Sequence, residues 1–128
     1  MVIYNLTQHA ASAEQLAAGV VDLEGDLRTL MVAALTFHVM PDLETVMAHS
    51  EMLATVMKVL DPDLSGEVQF MIGGAPYLMA AMVEYSPCYT MVFAYSERVS
   101  EEQVLDGVCR KVSVFKHLGF VPMFTSMS

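Results

Sequence analysis

Short apolar runs of strand length alternate along this chain with helix-length segments, and turn-forming residues separate them. The first run, residues 2–6, ends at the polar Thr7, Gln8 and His9. Ser12 then precedes Glu14 and Gln15, the pattern of a capped helix reaching Ala18 with Gly19 past its end. Residues 20–23 read as a second strand, 26–32 as a helix and 34–37 as a further apolar strand. Asp42 is placed to cap the clearest helix, in which Val46, Met47, Met52, Leu53, Val56, Met57 and Leu60 recur near the 3.6-residue period. Residues 67–72 read as a strand running into Gly73, Gly74, Ala75 and Pro76, and Pro76 suits the first turn of a helix over 77–85. Residues 90–95 and 112–115 read as strands, with a polar turn or helical turn at 100–103 between them. Continuous apolar strands are what a sheet covered on both faces requires. The alternation therefore predicts an α/β fold: a small Rossmann-like three-layer domain whose mostly parallel sheet carries an antiparallel edge or hairpin at the C-terminal end.

Composition narrows the function classes. Hydrophobic residues are 55% of the 128 and charged residues 16%, the opposite of the balance that disorder needs, so residues 1–128 are expected to form one domain around a core. Twelve methionines and no tryptophan point to soft thioether packing in that core. No apolar run reaches the roughly 18 residues of a membrane span, and the first residues lack the basic and apolar regions of a signal peptide. Cys88 and Cys109 have no CxxC spacing, which suits reduced thiols in a cytoplasmic protein. Flexibility is expected in the turn formers 61–66 and in the tail from Pro122, which ends Thr-Ser-Met-Ser. The net charge of -9, fifteen acids against six bases, excludes coating duplex nucleic acid or an anionic membrane through the net field. An anionic ligand must be gripped locally.

Three places could do that. Asn5, Thr7, Gln8 and His9 sit at the carboxyl end of the first strand, where open α/β sheets bind ligands. Alternatively, Asn5 and Thr7 cap the next turn and His9 is surface filler. Gly73 and Gly74 stand between a strand and a helix start, a setting that lets backbone N–H groups approach a phosphate. The segment lacks both the Walker ending and GxGxxG spacing; the alternative is a tight turn that needs positive φ and small residues for helix–sheet packing. The third place is the stretch holding Ser96, Arg98, Arg110, Lys111, Lys116 and His117, four of the six basic residues. Arg98 lies just past a strand end, and its guanidinium fork suits a phosphate or carboxylate. Ion pairing with neighbouring acids is the competing role. His9 and His117 are the acid–base candidates. No metal or cofactor is expected, since pairing His38 with Asp42 would need a helix through Pro41.

The segments Asn5-Leu6-Thr7-Gln8-His9-Ala10, Gly73-Gly74-Ala75-Pro76-Tyr77-Leu78-Met79 and Arg110-Lys111-Val112-Ser113-Val114-Phe115-Lys116-His117-Leu118-Gly119-Phe120 resemble those of a family of small uncharacterised bacterial and phage-associated proteins. The likeness covers both ends and the centre, about half the chain, and implies no established activity. In size and strand order the chain is also similar, at the level of the fold, to small Rossmann-like CRISPR-associated proteins that bind or cut cyclic oligoadenylates. The leading expectation is a binding domain for a small anionic, nucleotide-like ligand, with a cyclic oligonucleotide as one candidate. In that picture a phosphate sits on Gly73 and Gly74, Arg98 and Lys111 balance charge, and Asn5 or Gln8 reads a base or ribose. The alternatives are a metal-independent phosphodiesterase or ring nuclease using His9 or His117, and a homodimeric interaction module without a small ligand. Self-association is expected on every reading.

Overall fold

The computed structural model describes residues 2–123. Its elements, in chain order, are β1 (Val2–Leu6), α1 (Ala13–Ala17), β2 (Val20–Asp22), α2 (Gly25–Leu35), α3 (Leu43–Leu60), β3 (Val68–Ile72), α4 (Pro76–Tyr85), β4 (Met91–Leu105) and β5 (Val108–Pro122). The five strands form one sheet in the order β2-β1-β3-β4-β5. β2, β1, β3 and the start of β4 run parallel, and β5 returns antiparallel to β4.

The two-residue alternation of a strand decides what each face holds. Leu6, Phe70, Ile72 and Met91 point to one side and pack on Met31, Ala34 and Leu35 of α2, Leu53, Val56 and Met57 of α3, and Leu78, Met79 and Met82 of α4. Ile3, Met71 and Val92, with Val20, point to the other, where Ala11 and Phe120 close over them. That second layer is thin, because α1 is a five-residue helix with no buried residue. Five methionines (Met31, Met57, Met79, Met82, Met91) lie in the main core, as the composition suggested. Among the described residues no helix is long and apolar enough to cross a membrane.

Helix starts follow their local chemistry. Ser12 and Gln15 form a reciprocal capping box on α1. Asp42 caps α3 by accepting from the Thr45 N–H at 2.8 Å, and hydrogen bonds from Thr45 hold its carboxyl below the usual value. Pro76 occupies the first turn of α4. The turn formers after α3 are tied together: the Asp61 carboxylate accepts from the Ser65 N–H and hydroxyl at 3.1 and 3.0 Å.

Two segments differ from the expectation. Residues 34–37 are not a strand: α2 continues through Leu35, because Met31, Ala34 and Leu35 at helical spacing fill the core. The Thr36 hydroxyl then bonds the Val32 carbonyl at 2.7 Å. Residues 100–103 are not a turn but lie inside β4, paired with residues 110–113 of β5. The reversal is at Asp106 and Gly107, with φ of 52° and 75°, a two-residue turn of the type I′ class whose hand matches the strand twist. The segments 90–95 and 112–115 are thus parts of fifteen-residue strands. Of the tail, residues 124–128 lie outside the described residues.

Phe70, fully buried at the centre of the sheet, is the sharpest test of the core. Phe70→Ala is expected to cost about 3–5 kcal/mol in urea unfolding with an unchanged denaturant slope.

Candidate functional site

In an open parallel sheet, the crevice opens where neighbouring strands send their connections in opposite directions. Here β1 leads outward to β2 while its other neighbour, β3, leads to β4, so the carboxyl ends of β1 and β3 part. A cleft of about 530 Å³ lies there, walled by Thr7, Gln8, His9 and Ala10 on one side and Gly73, Gly74 and Ala75 on the other. Leu35 of α2, Gln15 of α1, and Phe93 and Ala94 of β4 complete it.

The wall after β1 is shaped by Asn5, which is 1% exposed. Its amide nitrogen donates to the His9 carbonyl at 2.8 Å and to Asp22 Oδ1 at 2.7 Å. Its amide oxygen accepts from the Thr7 N–H at 3.0 Å and the Thr7 hydroxyl at 2.6 Å. Asp22, at the end of β2, also accepts from the Ala11 N–H. With these bonds made, Asn5 positions the loop and turns away from the cleft. Gln8 reaches the other way, its Nε2 donating to the Thr36 hydroxyl at the end of α2 at 3.0 Å. His9 is exposed and makes no side-chain hydrogen bond among the described residues.

The opposite wall is backbone. Neither Gly73 nor Gly74 has positive φ, so the tight-turn requirement does not apply to them. Their value is space: a Cβ on Gly73 would stand 3.5 Å from Thr7 Cγ2, and one on Gly74 3.4 Å from Leu35 Cδ2. Among the described residues the Gly74 and Ala75 N–H groups find no protein acceptor. They immediately precede α4, whose first turn carries no acid. Among the described residues His9 is the one ionisable side chain lining the cleft, and no carboxylate lines it, in a chain of net charge -9.

The third constellation stands elsewhere. Past Val92, β4 leaves β3 and continues with β5 as a two-stranded arm rising from the carboxyl edge of the sheet. Ser96 pairs with His117, Glu97 with Lys116, Arg98 with Phe115 and Glu102 with Lys111. The Arg98 guanidinium lies 5.1 Å from the centre of the Phe115 ring. Lys111 stands level with Glu102, eight residues beyond Ala94 and roughly 27 Å along a strand, so it is not brought to Gly73 and Gly74. His117 packs edge-on to Phe120, and its buried Nδ1 has no partner among the described residues. His9 and His117 therefore occupy separate surroundings. Phe93, Ala94, Leu35, Asp22 and Thr36 were not foreseen. The crevice rule applied to the strand at 90–95 was enough to suggest Phe93 and Ala94.

Fold and site together define an open α/β domain with a switch-point cleft walled by a polar loop and a glycine-rich helix entry. The chain belongs to the uncharacterised protein MJ1673 family, whose model matches residues 1–121. No curated protein and no solved structure matches it.

The Asn5 clamp has a measurable signature. Asn5→Ala should cost about 2–4 kcal/mol, since it strands several buried polar partners. Asn5→Asp is nearly isosteric but faces the Asp22 carboxylate, so its folded state binds a proton more tightly than the unfolded chain. Its stability should be greatest at about pH 4 and fall toward pH 7, followed by thermal unfolding against pH.

Proposed function

We propose that the switch-point cleft binds a small anionic, nucleotide-like ligand, a cyclic oligonucleotide being one candidate. The observation that carries this reading is a cleft lined by no acid among the described residues of a strongly acidic protein, with the Gly74 and Ala75 N–H groups, unpaired among those residues, on its wall just before α4. A phosphate there would take hydrogen bonds from those amides and favourable interaction with the positive end of the helix. Thr7, Gln8 and His9 face it across the cleft and supply the groups that read a base or ribose. Ser96 and Arg98, at the root of the arm, are placed nearer this cleft than Lys111. Among the described residues lining the cleft, His9 is the one ionisable group and so the candidate for general acid and base roles. Binding is therefore the first reading and phosphodiester cleavage the second.

Thermal melting in the presence of nucleotides, cyclic oligoadenylates and sugar phosphates tests it. A ligand at a hundred times its Kd stabilises by about 2.7 kcal/mol, a shift of several degrees for a domain this size. Gly73→Val should leave the ligand-free midpoint nearly unchanged and weaken binding by ~10-fold or more, because its branches project into the cleft. No shift with any anion, or equal shifts in wild type and Gly73→Val, would sink the cleft assignment. Turnover of a bound cyclic oligoadenylate, lost in His9→Ala with binding retained, would establish the enzyme instead.

A further inference from the structure

The arm continues one face of the sheet past the cleft. Val92 lies on the side that Ala11 and Phe120 close, and strand alternation carries Ala94, Ser96, Arg98 and Ser100 onto that same side. Opposite these four, β5 sets Phe120, His117, Phe115 and Ser113 in turn. Ala94, Ser96 and Arg98 are exposed, and Phe115 is 68% exposed. The other face of the arm is aliphatic, with Val99 opposite Val114 and Val112 beside them.

Arg98 differs from the other charges of the arm. Glu97, Glu101, Glu102 and Asp106 match Arg98, Arg110, Lys111 and Lys116 in number. Lys116 stands opposite Glu97, Lys111 opposite Glu102, and Arg110 diagonal to Glu101. Around Arg98 the neighbours on its own face are Ser96, Ser100, Ser113, Phe115 and His117, with no carboxylate among them. Its guanidinium lies instead 5.1 Å from the centre of the Phe115 ring. A guanidinium stacked on a ring keeps its N–H edge for an acceptor, and an anionic acceptor suits it best. Further back on β5 the rings of His117 and Phe120 are 4.9 Å apart, and Phe120 stands opposite Ala94 of the cleft wall. Rings in a row beside a cation are what single-stranded nucleic acid uses, its bases stacking on the rings and its backbone meeting the charge. The row is continuous with the cleft at Ala94, and Arg98 stands roughly 14 Å beyond that residue along the strand. A phosphate on the Gly74 and Ala75 amides is therefore not the one that Arg98 would hold.

We propose that Arg98 and Phe115 form a second subsite, so that the ligand is a short single-stranded oligonucleotide with at least two phosphates. One phosphate sits in the cleft; the next meets Arg98, with its base against the Phe115 ring. This rests on the cleft reading above and adds to it the length of the ligand.

Equilibrium binding of adenosine 5′-monophosphate and of the 5′-phosphorylated linear dinucleotide of adenosine, which carry one and two phosphates, tests it. The wild type should bind the dinucleotide ~10-fold or more tighter than the mononucleotide. Arg98→Gln and Phe115→Leu should each weaken the dinucleotide ~5-fold or more and the mononucleotide by less than about twofold. Arg98→Gln should also flatten the log–log salt dependence of dinucleotide binding by about 0.7, the loss of one phosphate contact. Lys111→Gln removes the same charge more than a Debye length farther along the face, and should change neither affinity by more than about twofold. Equal affinity for the two probes, or an Arg98→Gln loss shared by the mononucleotide or matched by Lys111→Gln, would overturn the second subsite and leave the cleft reading standing. A wild type that binds neither probe, or dinucleotide binding indifferent to Gly73→Val, would overturn the cleft reading and this one with it.

Discussion

Burial of β1 and β3 on both faces is the constraint on which the rest of this molecule depends. Two adjacent parallel strands covered above and below cannot be joined by a tight turn, so the chain must leave the sheet and return through helices. The residues between β1 and β3 supply those crossovers, and the side chains of α2, α3 and α4 close one face over Phe70 and its neighbours. Once β2 lies on one side of β1 and β3 on the other, the two connections diverge and a crevice is unavoidable. The cleft is thus a consequence of strand order before any side chain is chosen for it.

What the side chains add is shape and charge. Asn5 is one buried amide with its donors and acceptors engaged, and through Thr7, His9 and Asp22 it fixes the loop that forms one wall. Such a fully satisfied polar group inside an apolar layer stabilises one arrangement over its alternatives, because every rearrangement strands a partner. Gly73 and Gly74 do the converse on the other wall, leaving backbone uncovered where side chains would fill the cleft. Among the described residues no acid lines the cleft, which is the condition the proposed anion site requires.

The arm separates two properties that the sequence had run together. The concentration of basic residues near the C-terminal end suggested charge directed at a phosphate, but cross-strand pairing sets Lys116 against Glu97 and Lys111 against Glu102. The result is a neutral ribbon attached to an acidic body, with an aliphatic strip on one of its faces. Cleft and arm leave the same edge of the sheet, yet they are chemically different surfaces.

Much of this was legible in the residues. Period-two and period-3.6 patterns placed the strands and the long helix, Ser12, Asp42 and Pro76 marked helix starts, and strand ends marked the candidate loops. These signals are local, carried by neighbours in the chain, and so survive without a fold. The α2 boundary was missed because Ala34 and Leu35 suit a helix or a strand equally until a core exists to select one. The Asp106-Gly107 turn was a local signal that went unread beside the more polar residues 100–103. The engagement of Asn5 with Asp22, and the distance of Lys111 from Gly73, could not be read at all. Each depends on which strands lie side by side: Asp22 meets Asn5 through the β1–β2 pairing, and Lys111 is carried away by its register with Glu102. The sequence by itself determined the elements and the chemistry available at their ends; tertiary structure alone decided which of those groups share a site, because proximity between distant residues is set by strand order and register.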